Sequence, residues 1–277
     1  MKAAAFEYVR ATSVRETVRV LEQTDGEGKI LAGGQSLVPV LALRLARPAV
    51  LIDINRVPGL GGLHAEGGAV RVGALVRHRA LVGQGEHPLL AEAARWIGHA
   101  AIRSRGTFGG SLAHADPAAE LPVVSVACDA DLEVCGPTRT RTVRAVDFFA
   151  SALTTDLAES EMLVGARLLI PERWGFAEFA RRHGDFALVT VAVTVLEGRP
   201  RIVVGGIAGV PLLATAAEEL LGDDLAPSGA RLEQAADATV EGLEPTPDLH
   251  GGSDYRRALA REQVLAALRG AYAEHAP

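Results

Sequence analysis

Residues 102–122 read IRSRGTFGGSLAHADPAAELP, and this stretch decides how the rest of the chain is interpreted. It holds the glycine pair Gly109-Gly110, followed directly by a serine. A glycine pair lets backbone N–H groups point at an anion without obstruction by a Cβ atom, and the serine adds a hydroxyl donor. The chain contains a second glycine pair near a serine, Gly33-Gly34-Gln35-Ser36, in which one glutamine stands before the serine. This pair comes directly after a predicted strand. Two loops of this kind that faced each other could hold a pyrophosphate.

A glycine pair is a weak signal by itself. The chain has 30 glycines and six Gly-Gly pairs, where chance would give about three, so most of the pairs are expected to be turns. The established nucleotide fingerprints are absent: Gly59-Leu60-Gly61 is followed by His64 where Gly-x-Gly-x-x-Gly needs a third glycine, and no Walker A sequence occurs. On spacing alone, a phosphate loop and an ordinary turn both remain open.

A histidine and two carboxylates follow within the same stretch. His114, Asp116 and Glu120 lie within seven residues, which suits a metal ion or acid–base chemistry. The alternative is a capped turn in which Asp116 is the N-cap of the following helix. A metal-dependent hydrolase built on these residues would need another histidine nearby, and His99 and His183 are the plausible donors.

Composition and charge exclude several classes of protein. Hydrophobic residues make up 48% and charged residues 22%, which is typical of a globular chain and not of a disordered one. A net charge of −6 argues against a broad nucleic-acid-binding face. The two cysteines, Cys128 and Cys135, do not have the spacing of a zinc or iron–sulfur site. The N-terminus reaches Glu7 before an apolar run of signal-peptide length, and residues 188–196 are too short to span a bilayer. A cytoplasmic protein without a transmembrane segment is expected.

Hydrophobic periodicity predicts a mixed first part. Ser13 begins a capping box, and the helix that follows should end at Thr24-Asp25-Gly26. With predicted strands over 29–32 and 49–54, this helix gives a β-α-β-like unit. Further along, the pattern predicts a strand over 69–75, a helix over 89–101, and a helix followed by a strand within 123–134.

The second part begins with strands and ends with helices. Residues 188–196 and 201–208 form a predicted hairpin joined by residues 197–200. Residues 165–174, with Pro171, are interpreted as a connection. The predicted domains are therefore 1–174, with subdomains of about 1–55 and 56–174, and 175–277. Strands and helices in separate runs favour an α+β fold. The predicted tail helices cover residues 214–221, 229–240 and 254–272.

Three segments together resemble one family. They are residues 32–39 (AGGQSLVP), residues 102–122, and residues 181–187 (RRHGDFA). The chain is similar, nearly end to end and including residues 255–257, to the FAD-binding medium subunit of molybdenum hydroxylases. This family includes carbon monoxide dehydrogenase medium subunits and the flavin portion of xanthine dehydrogenase. The resemblance implies a vanillyl-alcohol-oxidase-type (PCMH-type) FAD-binding domain followed by a small domain of antiparallel sheet plus helical bundle.

The resemblance also implies where FAD binds. The first two segments would wrap the pyrophosphate, and Asp116 and Glu120 would accept hydrogen bonds from ribose or ribityl hydroxyls. Ile97 and Leu163 would lie near the isoalloxazine, with Asp185 and Phe186 approaching from the C-terminal domain. No catalytic residue and no metal ligand is expected in this chain. The implied cofactor-binding residues are Ile30, Leu31, Ala32, Gly33, Gly34, Gln35, Ser36, Leu37, Ile97, Thr107, Phe108, Gly109, Gly110, Ser111, Asp116, Glu120, Leu163, Asp185 and Phe186.

Partners follow from the same resemblance. A small subunit with two [2Fe–2S] clusters would pass electrons to this FAD, and a large molybdopterin subunit would hydroxylate the substrate, with a dimer of heterotrimers as the assembly. The flavin would then pass the electrons to a final acceptor. The alternatives are a stand-alone FAD oxidoreductase of the same fold and the metal-dependent hydrolase considered above.

Overall fold

The structure, a computed structural model, describes residues 2–273. Its strands are β1 (Glu7–Arg10), β2 (Gly28–Leu31), β3 (Val50–Asp53), β4 (Leu63–Glu66), β5 (Ala69–Gly73), β6 (Asp131–Cys135), β7 (Thr140–Arg144), β8 (Phe149–Ser151), β9 (Thr154–Thr155), β10 (Met162–Leu169), β11 (Arg173–Phe179), β12 (Val189–Leu196), β13 (Arg199–Gly205) and β14 (Leu212–Leu213). Its helices are α1 (Val14–Gln23), α2 (Leu37–Ala42), α3 (His78–Val82), α4 (Pro88–Trp96), α5 (Ala100–Arg105), α6 (Phe108–His114), α7 (Glu120–Ala127), α8 (Ala145–Phe148), α9 (Thr215–Leu221), α10 (Gly229–Val240) and α11 (Ser253–Tyr272). The mixture of helices and sheets confirms the predicted α+β class.

The first sheet is parallel, with the order β1-β3-β2. Helix α1 crosses between β1 and β2 and begins as predicted, because the Ser13 hydroxyl accepts a hydrogen bond from the Glu16 N–H at 3.1 Å. The predicted β-α-β unit is confirmed, with β1 as a further strand that its short, mostly exposed sequence did not signal. Because β2 and β3 are parallel, their carboxyl ends meet at one edge of the sheet.

The second sheet is antiparallel, with the order β4-β5-β10-β6-β7. Its central strand β10 corrects a prediction, because residues 165–169 belong to this strand and are not part of a connection. Gly165, the first residue of the predicted connection, allows close strand contact instead: a Cβ atom there would lie 2.9 Å from the Val72 carbonyl oxygen. The connection that does exist is short and contains Pro171.

The helix predicted over 89–101 is interrupted. Helix α4 ends at Trp96, and α5 begins at Ala100. Between them Gly98 has a φ of +45°, a conformation that glycine adopts most readily. The side chain of Arg103 donates to the carbonyl oxygens of Ile97 (2.9 Å) and Gly98 (2.6 Å), which the break leaves without helical partners.

A third sheet, β11-β12-β13-β14, is antiparallel and packs against α9 and α11, and α10 packs against these two helices. The predicted hairpin of β12 and β13 is confirmed, but its turn consists only of Glu197 and Gly198, whose φ angles of 51° and 73° are those of a type I′ turn. The three predicted tail helices are confirmed to within one residue. Gly175 places β11 directly on α11, since a Cβ atom at this glycine would lie 1.8 Å from the Ala267 carbonyl oxygen.

The third sheet joins the rest of the molecule through α7. The Thr194 hydroxyl donates to the Ala127 carbonyl at 2.7 Å, and Arg201 donates to the Val126 carbonyl at 3.0 Å. One buried apolar cluster includes residues from both sides of this junction. The division at residue 174 stays a prediction. Within the described residues, no helix has the length and apolar character needed to cross a membrane.

Candidate functional site

The first glycine loop connects β2 to α2 and presents unused hydrogen-bond donors. Among residues 2–273, the backbone N–H groups of Gly33, Gly34, Gln35 and Ser36 have no acceptor. Gly34 has a φ of +75°, which places it in the left-handed region. A run of consecutive N–H groups around a left-handed residue forms a concave binding site for an anion. The loop therefore offers four adjacent donors to a negatively charged ligand.

The structure brings the two glycine loops into direct contact. A Cβ atom on Gly33 would lie 2.4 Å from the carbonyl oxygen of Arg105 and 2.9 Å from the Cα of Gly106. A Cβ atom on Gly110 would lie 3.9 Å from the Cβ of Ala32. The loops thus approach backbone to backbone, and Gly33 is needed because no side chain fits between them.

The second loop uses its own N–H groups internally. The N–H of Phe108 donates to the Val76 carbonyl and that of Gly109 to the Ala74 carbonyl, both at 2.9 Å. The N–H of Gly110 donates to the Thr107 hydroxyl at 3.2 Å. Phe108 has a fully buried side chain in the apolar core. This loop therefore supplies shape and a serine hydroxyl, whereas the first loop supplies the free N–H donors.

Two side chains that sequence analysis missed connect the loops. Asn55 follows β3 and donates to the Ala32 carbonyl at 2.8 Å. Arg77 donates to the Asn55 side-chain oxygen at 2.6 Å and also to the Arg105 carbonyl. A signal for Asn55 existed, because it follows the strand parallel to β2 and so lies at the same sheet edge as the first loop. Arg77 had no such signal.

The surroundings of the loops are positively charged. The pKa of Arg77 is lowered by burial and then by the charges of Arg105 and Arg79, as expected where cations lie close together. His78 adds no charge, because burial lowers its pKa to about 4. Its Nδ1 would lie only 2.7 Å from a Cβ atom on Gly106, so the imidazole packs directly beneath the second loop.

Asp116 caps a turn and does not begin a helix. Its carboxylate accepts from the Ala118 N–H at 2.9 Å, and its carbonyl accepts from the Ala119 N–H at 3.0 Å. The helix α7 begins later, at Glu120, with Ala119 as its N-cap. The prediction that Asp116 is the helix N-cap is therefore wrong, because the Asp-Pro sequence adds a turn before the helix.

Glu120 is buried against a second carboxyl group, Glu178 on β11, which sequence analysis also missed. Both residues are 8% exposed. Burial, and then the charge of Asp116, raises the pKa of Glu120 to about 7. Burial and the charge of Glu120 raise the pKa of Glu178 to about 8, while the Thr190 hydroxyl 3.5 Å away opposes this shift. Because two adjacent buried carboxylates cannot both ionise at low cost, the pair retains a proton at neutral pH.

The segment 181–187 folds over the corner between α4 and α5. Gly184 has a φ of +89°, and a Cβ atom there would lie 2.3 Å from the His99 ring. The ring of His183 meets that of Trp96 edge-on at 6.0 Å. Asp185 and Phe186 therefore follow directly on a segment held against the corner that contains Ile97.

The remaining predicted residues surround this arrangement. Phe186 is 76% exposed, an unusual state for a large aromatic side chain. Ile97 and Leu163 are buried in one apolar cluster. Ile30 and Leu31 end the strand that leads into the first loop. Contact of each predicted residue with a cofactor stays a prediction.

The metal-site alternative gains no support. His114 Nε2 lies 4.0 Å from the Asp116 carboxylate, and His99 and His183 are engaged by Gly184 and Trp96. In the part of the chain that the structure describes, no group of three or more His, Cys, Asp or Glu residues could hold a metal ion.

Comparison with known families gives two adjacent matches. Residues 4–172 match the family described as "FAD binding domain in molybdopterin dehydrogenase". Residues 174–271 match the "CO dehydrogenase flavoprotein C-terminal domain". Together the two matches cover nearly the whole chain.

Individual relatives match over nearly their full lengths. The nicotine 6-hydroxylase medium subunit of Paenarthrobacter nicotinovorans is 41% identical, with 95% of this chain and 96% of that protein covered. A solved structure of carbon monoxide dehydrogenase from Hydrogenophaga pseudoflava contains a chain that is 38% identical, with a TM-score of 0.93 and 99% of each chain covered. A chain of quinoline 2-oxidoreductase from Pseudomonas putida 86 is 36% identical, with a TM-score of 0.92 and 98% of each chain covered.

Proposed function

The chain belongs to the family of FAD-binding subunits of molybdopterin dehydrogenases, and on this premise we propose that it accepts electrons from a [2Fe–2S] partner subunit and passes them to a final acceptor. Its cofactor is FAD, and it is the medium subunit of a multi-subunit molybdenum hydroxylase similar to carbon monoxide dehydrogenase. Bound FAD would supply the redox chemistry, since it can take up electrons singly and hold two. The protein would bind and orient it.

The observation that carries the proposal is the row of four unused N–H groups at residues 33–36, held against the second loop. Backbone N–H groups in such a concave arrangement suit a diphosphate, which is the central, doubly charged part of FAD. The adjacent guanidinium groups of Arg77 and Arg105 add positive charge. The Ser36 and Ser111 hydroxyls, one from each loop, would add further donors.

The other parts of FAD have matching surfaces. Asp116 and Glu120 follow the second loop, and their carboxyl oxygens would accept hydrogen bonds from sugar or ribityl hydroxyls. Ile97 and Leu163, which are buried in the same apolar cluster, would contribute apolar surface for the flat ring, and the exposed Phe186 would approach it from the C-terminal segment. We therefore assign the nineteen residues predicted from the sequence as the FAD site, with Phe108 and Gly109 shaping the second loop and not donating to the ligand.

The partners we propose are a [2Fe–2S] small subunit and a molybdopterin large subunit, assembled as a dimer of heterotrimers. The 277 residues contain two cysteines, whereas a [2Fe–2S] cluster is generally held by four protein ligands, which favours our placing the clusters on a separate small subunit. Relatives named as medium subunits or medium chains of carbon monoxide and nicotine-oxidising enzymes support a subunit role.

Flavin uptake by the full chain tests the proposal. The purified protein is incubated with FAD, FMN or riboflavin, desalted, and its flavin content is measured by absorption. We expect about one FAD per chain and much weaker retention of FMN and riboflavin, since the diphosphate contributes charge-assisted hydrogen bonds. A chain that is folded by circular dichroism yet takes up no FAD would refute the proposal.

The electron-transfer step needs a second experiment. The chain is co-expressed with candidate [2Fe–2S] and molybdopterin subunits, and the complex is isolated by a tag on this chain. We expect substrate addition to bleach the flavin absorption in the complex. A complex whose clusters are reduced by substrate while its flavin stays oxidised would contradict the proposed electron path.

A further inference from the structure

We propose that Asn55 and Arg77 form a clamp that fixes the two glycine loops in the arrangement that binds the FAD diphosphate. This inference rests on the proposed function and adds two positioning residues to it. Neither side chain belongs to the predicted cofactor site, and their effect on FAD would pass through the backbone of the loops. The clamp runs from Ala32 through Asn55 and Arg77 to Arg105.

Asn55 is itself held in a fixed orientation. Its backbone N–H and its side-chain amide both donate to one oxygen of Asp53, at 2.8 and 2.7 Å. The other Asp53 oxygen accepts from the Tyr8 hydroxyl. Burial acts to raise the pKa of Asp53, but the hydrogen bonds from Tyr8 and Asn55 outweigh it and lower the pKa, so this carboxylate stays charged. The amide of Asn55 therefore has a defined rotamer before it meets Ala32 or Arg77.

Contact of Asn55 with Ala32 determines where the first free donor points. The carbonyl of Ala32 and the N–H of Gly33 belong to one planar trans peptide unit, so they point in opposite directions. Because Asn55 donates to the Ala32 carbonyl at 2.8 Å, the Gly33 N–H is directed away from Asn55 and into the loop. Without this hydrogen bond, the carbonyl could rotate toward the anion and repel it.

Arg77 performs the corresponding task on the second loop. Its backbone segment pairs with the loop, since the His78 N–H donates to the Gly106 carbonyl at 3.1 Å. From this position its guanidinium reaches both Asn55 and the Arg105 carbonyl. The Arg105 carbonyl is also the atom that approaches Gly33 most closely. A planar guanidinium can donate to two acceptors at once in a fixed geometry, which a lysine ammonium group does less well.

The test measures FAD affinity of the full-length chain carrying Asn55→Ala, Arg77→Met, Arg77→Lys or the double change Asn55→Ala/Arg77→Met. The control for loss of charge alone is Arg79→Met, which removes an exposed neighbouring cation in α3 whose side chain makes no hydrogen bond within residues 2–273; each clamp variant must weaken binding more than this control does. We expect each clamp variant to bind FAD roughly tenfold to hundredfold more weakly, the range given by one or two lost hydrogen bonds near a charged ligand. The double variant should be little weaker than either single variant, because both break one connected unit.

The lysine variant separates positioning from charge. Arg77→Lys keeps the positive charge but loses the planar guanidinium that donates to two acceptors at once. We therefore expect this variant to bind FAD nearly as weakly as Arg77→Met. If Arg77→Lys binds like the wild type, Arg77 acts through charge and the clamp is wrong. Wild-type affinity in Asn55→Ala, or additive losses in the double variant, would overturn it as well.

Hydrogen exchange provides a readout that does not depend on FAD. In the flavin-free chain, we expect faster amide exchange at Gly106, Phe108, Gly109 and Gly110, whose N–H groups are hydrogen-bonded, in the clamp variants than in Arg79→Met, with exchange in α1 and the β12–β13 hairpin unchanged. Equal exchange in all variants would refute the clamp. If the wild type fails to bind FAD while the clamp variants show this local exchange, the proposed function is wrong and the clamp stands as a constraint on the loops.

Discussion

Replacing Gly33 by alanine tests how closely the two glycine loops must approach each other. The new Cβ atom would lie 2.4 Å from the Arg105 carbonyl oxygen and 2.9 Å from the Gly106 Cα. An ordinary van der Waals contact begins at 3.4 Å, so the carbonyl oxygen alone is too close by about 1 Å. Gly33 does not have a positive φ, so the obstacle is the contact and not the backbone conformation.

Neither loop can move away easily. The Arg105 carbonyl is held by Arg77, and the Gly106 carbonyl by the His78 N–H at 3.1 Å. If the loops separate by about 1 Å, a hydrogen bond of about 2.9 Å to the ligand lengthens beyond the useful range. The loss of one hydrogen bond to a charged diphosphate costs about 1.5–3 kcal/mol. This corresponds to FAD affinity about tenfold to hundredfold lower.

The assay is a titration of the flavin-free Gly33→Ala chain with FAD, followed by the change in flavin fluorescence. The control is Gly61→Ala, because a Cβ atom on Gly61 would have no neighbour within 4 Å and this glycine has no positive φ. The control should bind FAD as the wild type does. If Gly33→Ala also binds FAD within about twofold of the wild type, the two loops do not jointly define the diphosphate site and the reasoning fails.

Three further predictions concern other parts of the structure. Gly110→Val should prevent stoichiometric FAD binding, because its Cβ would meet the Thr107 hydroxyl at 2.6 Å and its branched side chain would fill the space between the loops; retention of flavin after desalting would contradict this. The flavin-free protein should become less stable as pH rises from about 5 to 8, because Glu178, with a pKa raised to about 8 by burial and the charge of Glu120, is protonated when folded but ionised when unfolded. Glu178→Gln should flatten this dependence of the melting temperature, and an unchanged slope would show that Glu178 is not the group responsible. Gly175→Ala should destabilise the folded chain by about 3 kcal/mol or more, because its Cβ would lie 1.8 Å from the Ala267 carbonyl oxygen; an unchanged midpoint of urea unfolding would contradict the direct packing of β11 on α11.

Local signals explain what the sequence predicted well. The Ser13 N-cap and the β12–β13 hairpin are set by neighbouring residues, and both features appear in the structure. Two details differ from the prediction: the Glu16 carboxylate accepts from Thr12 and not from the Ser13 N–H, and the turn is two residues long instead of four. The predictions of secondary structure were wrong where a residue's conformation depends on contact with a segment distant in sequence. The sequence places Gly165 in a connection because nothing near it along the chain shows that the strand containing Val72 pairs beside it.

The same reason explains the missed site residues. Asn55 and Arg77 are 22 residues apart, and Arg77 lies 28 residues from Arg105. Nothing in the local pattern around Arg77 distinguishes it from Arg79, two residues further along. Glu178 could not be identified either, because its partner Glu120 comes from the other side of the α7 junction.

The helices beside the glycine loops are too short to explain anion binding by a dipole. Helix α2 has six residues and α6 has seven, and the Gly110 N–H at the start of α6 is already taken by the Thr107 hydroxyl. The usual dinucleotide site relies instead on the N-terminus of a longer helix after Gly-x-Gly-x-x-Gly. Here the free donors belong to an irregular loop, whose conformation must be imposed from outside. The close approach at Gly33 and the hydrogen bonds of Asn55 and Arg77 impose this conformation. The sequence signal for the diphosphate site is therefore divided between two loops that are far apart along the chain, and no single motif contains it.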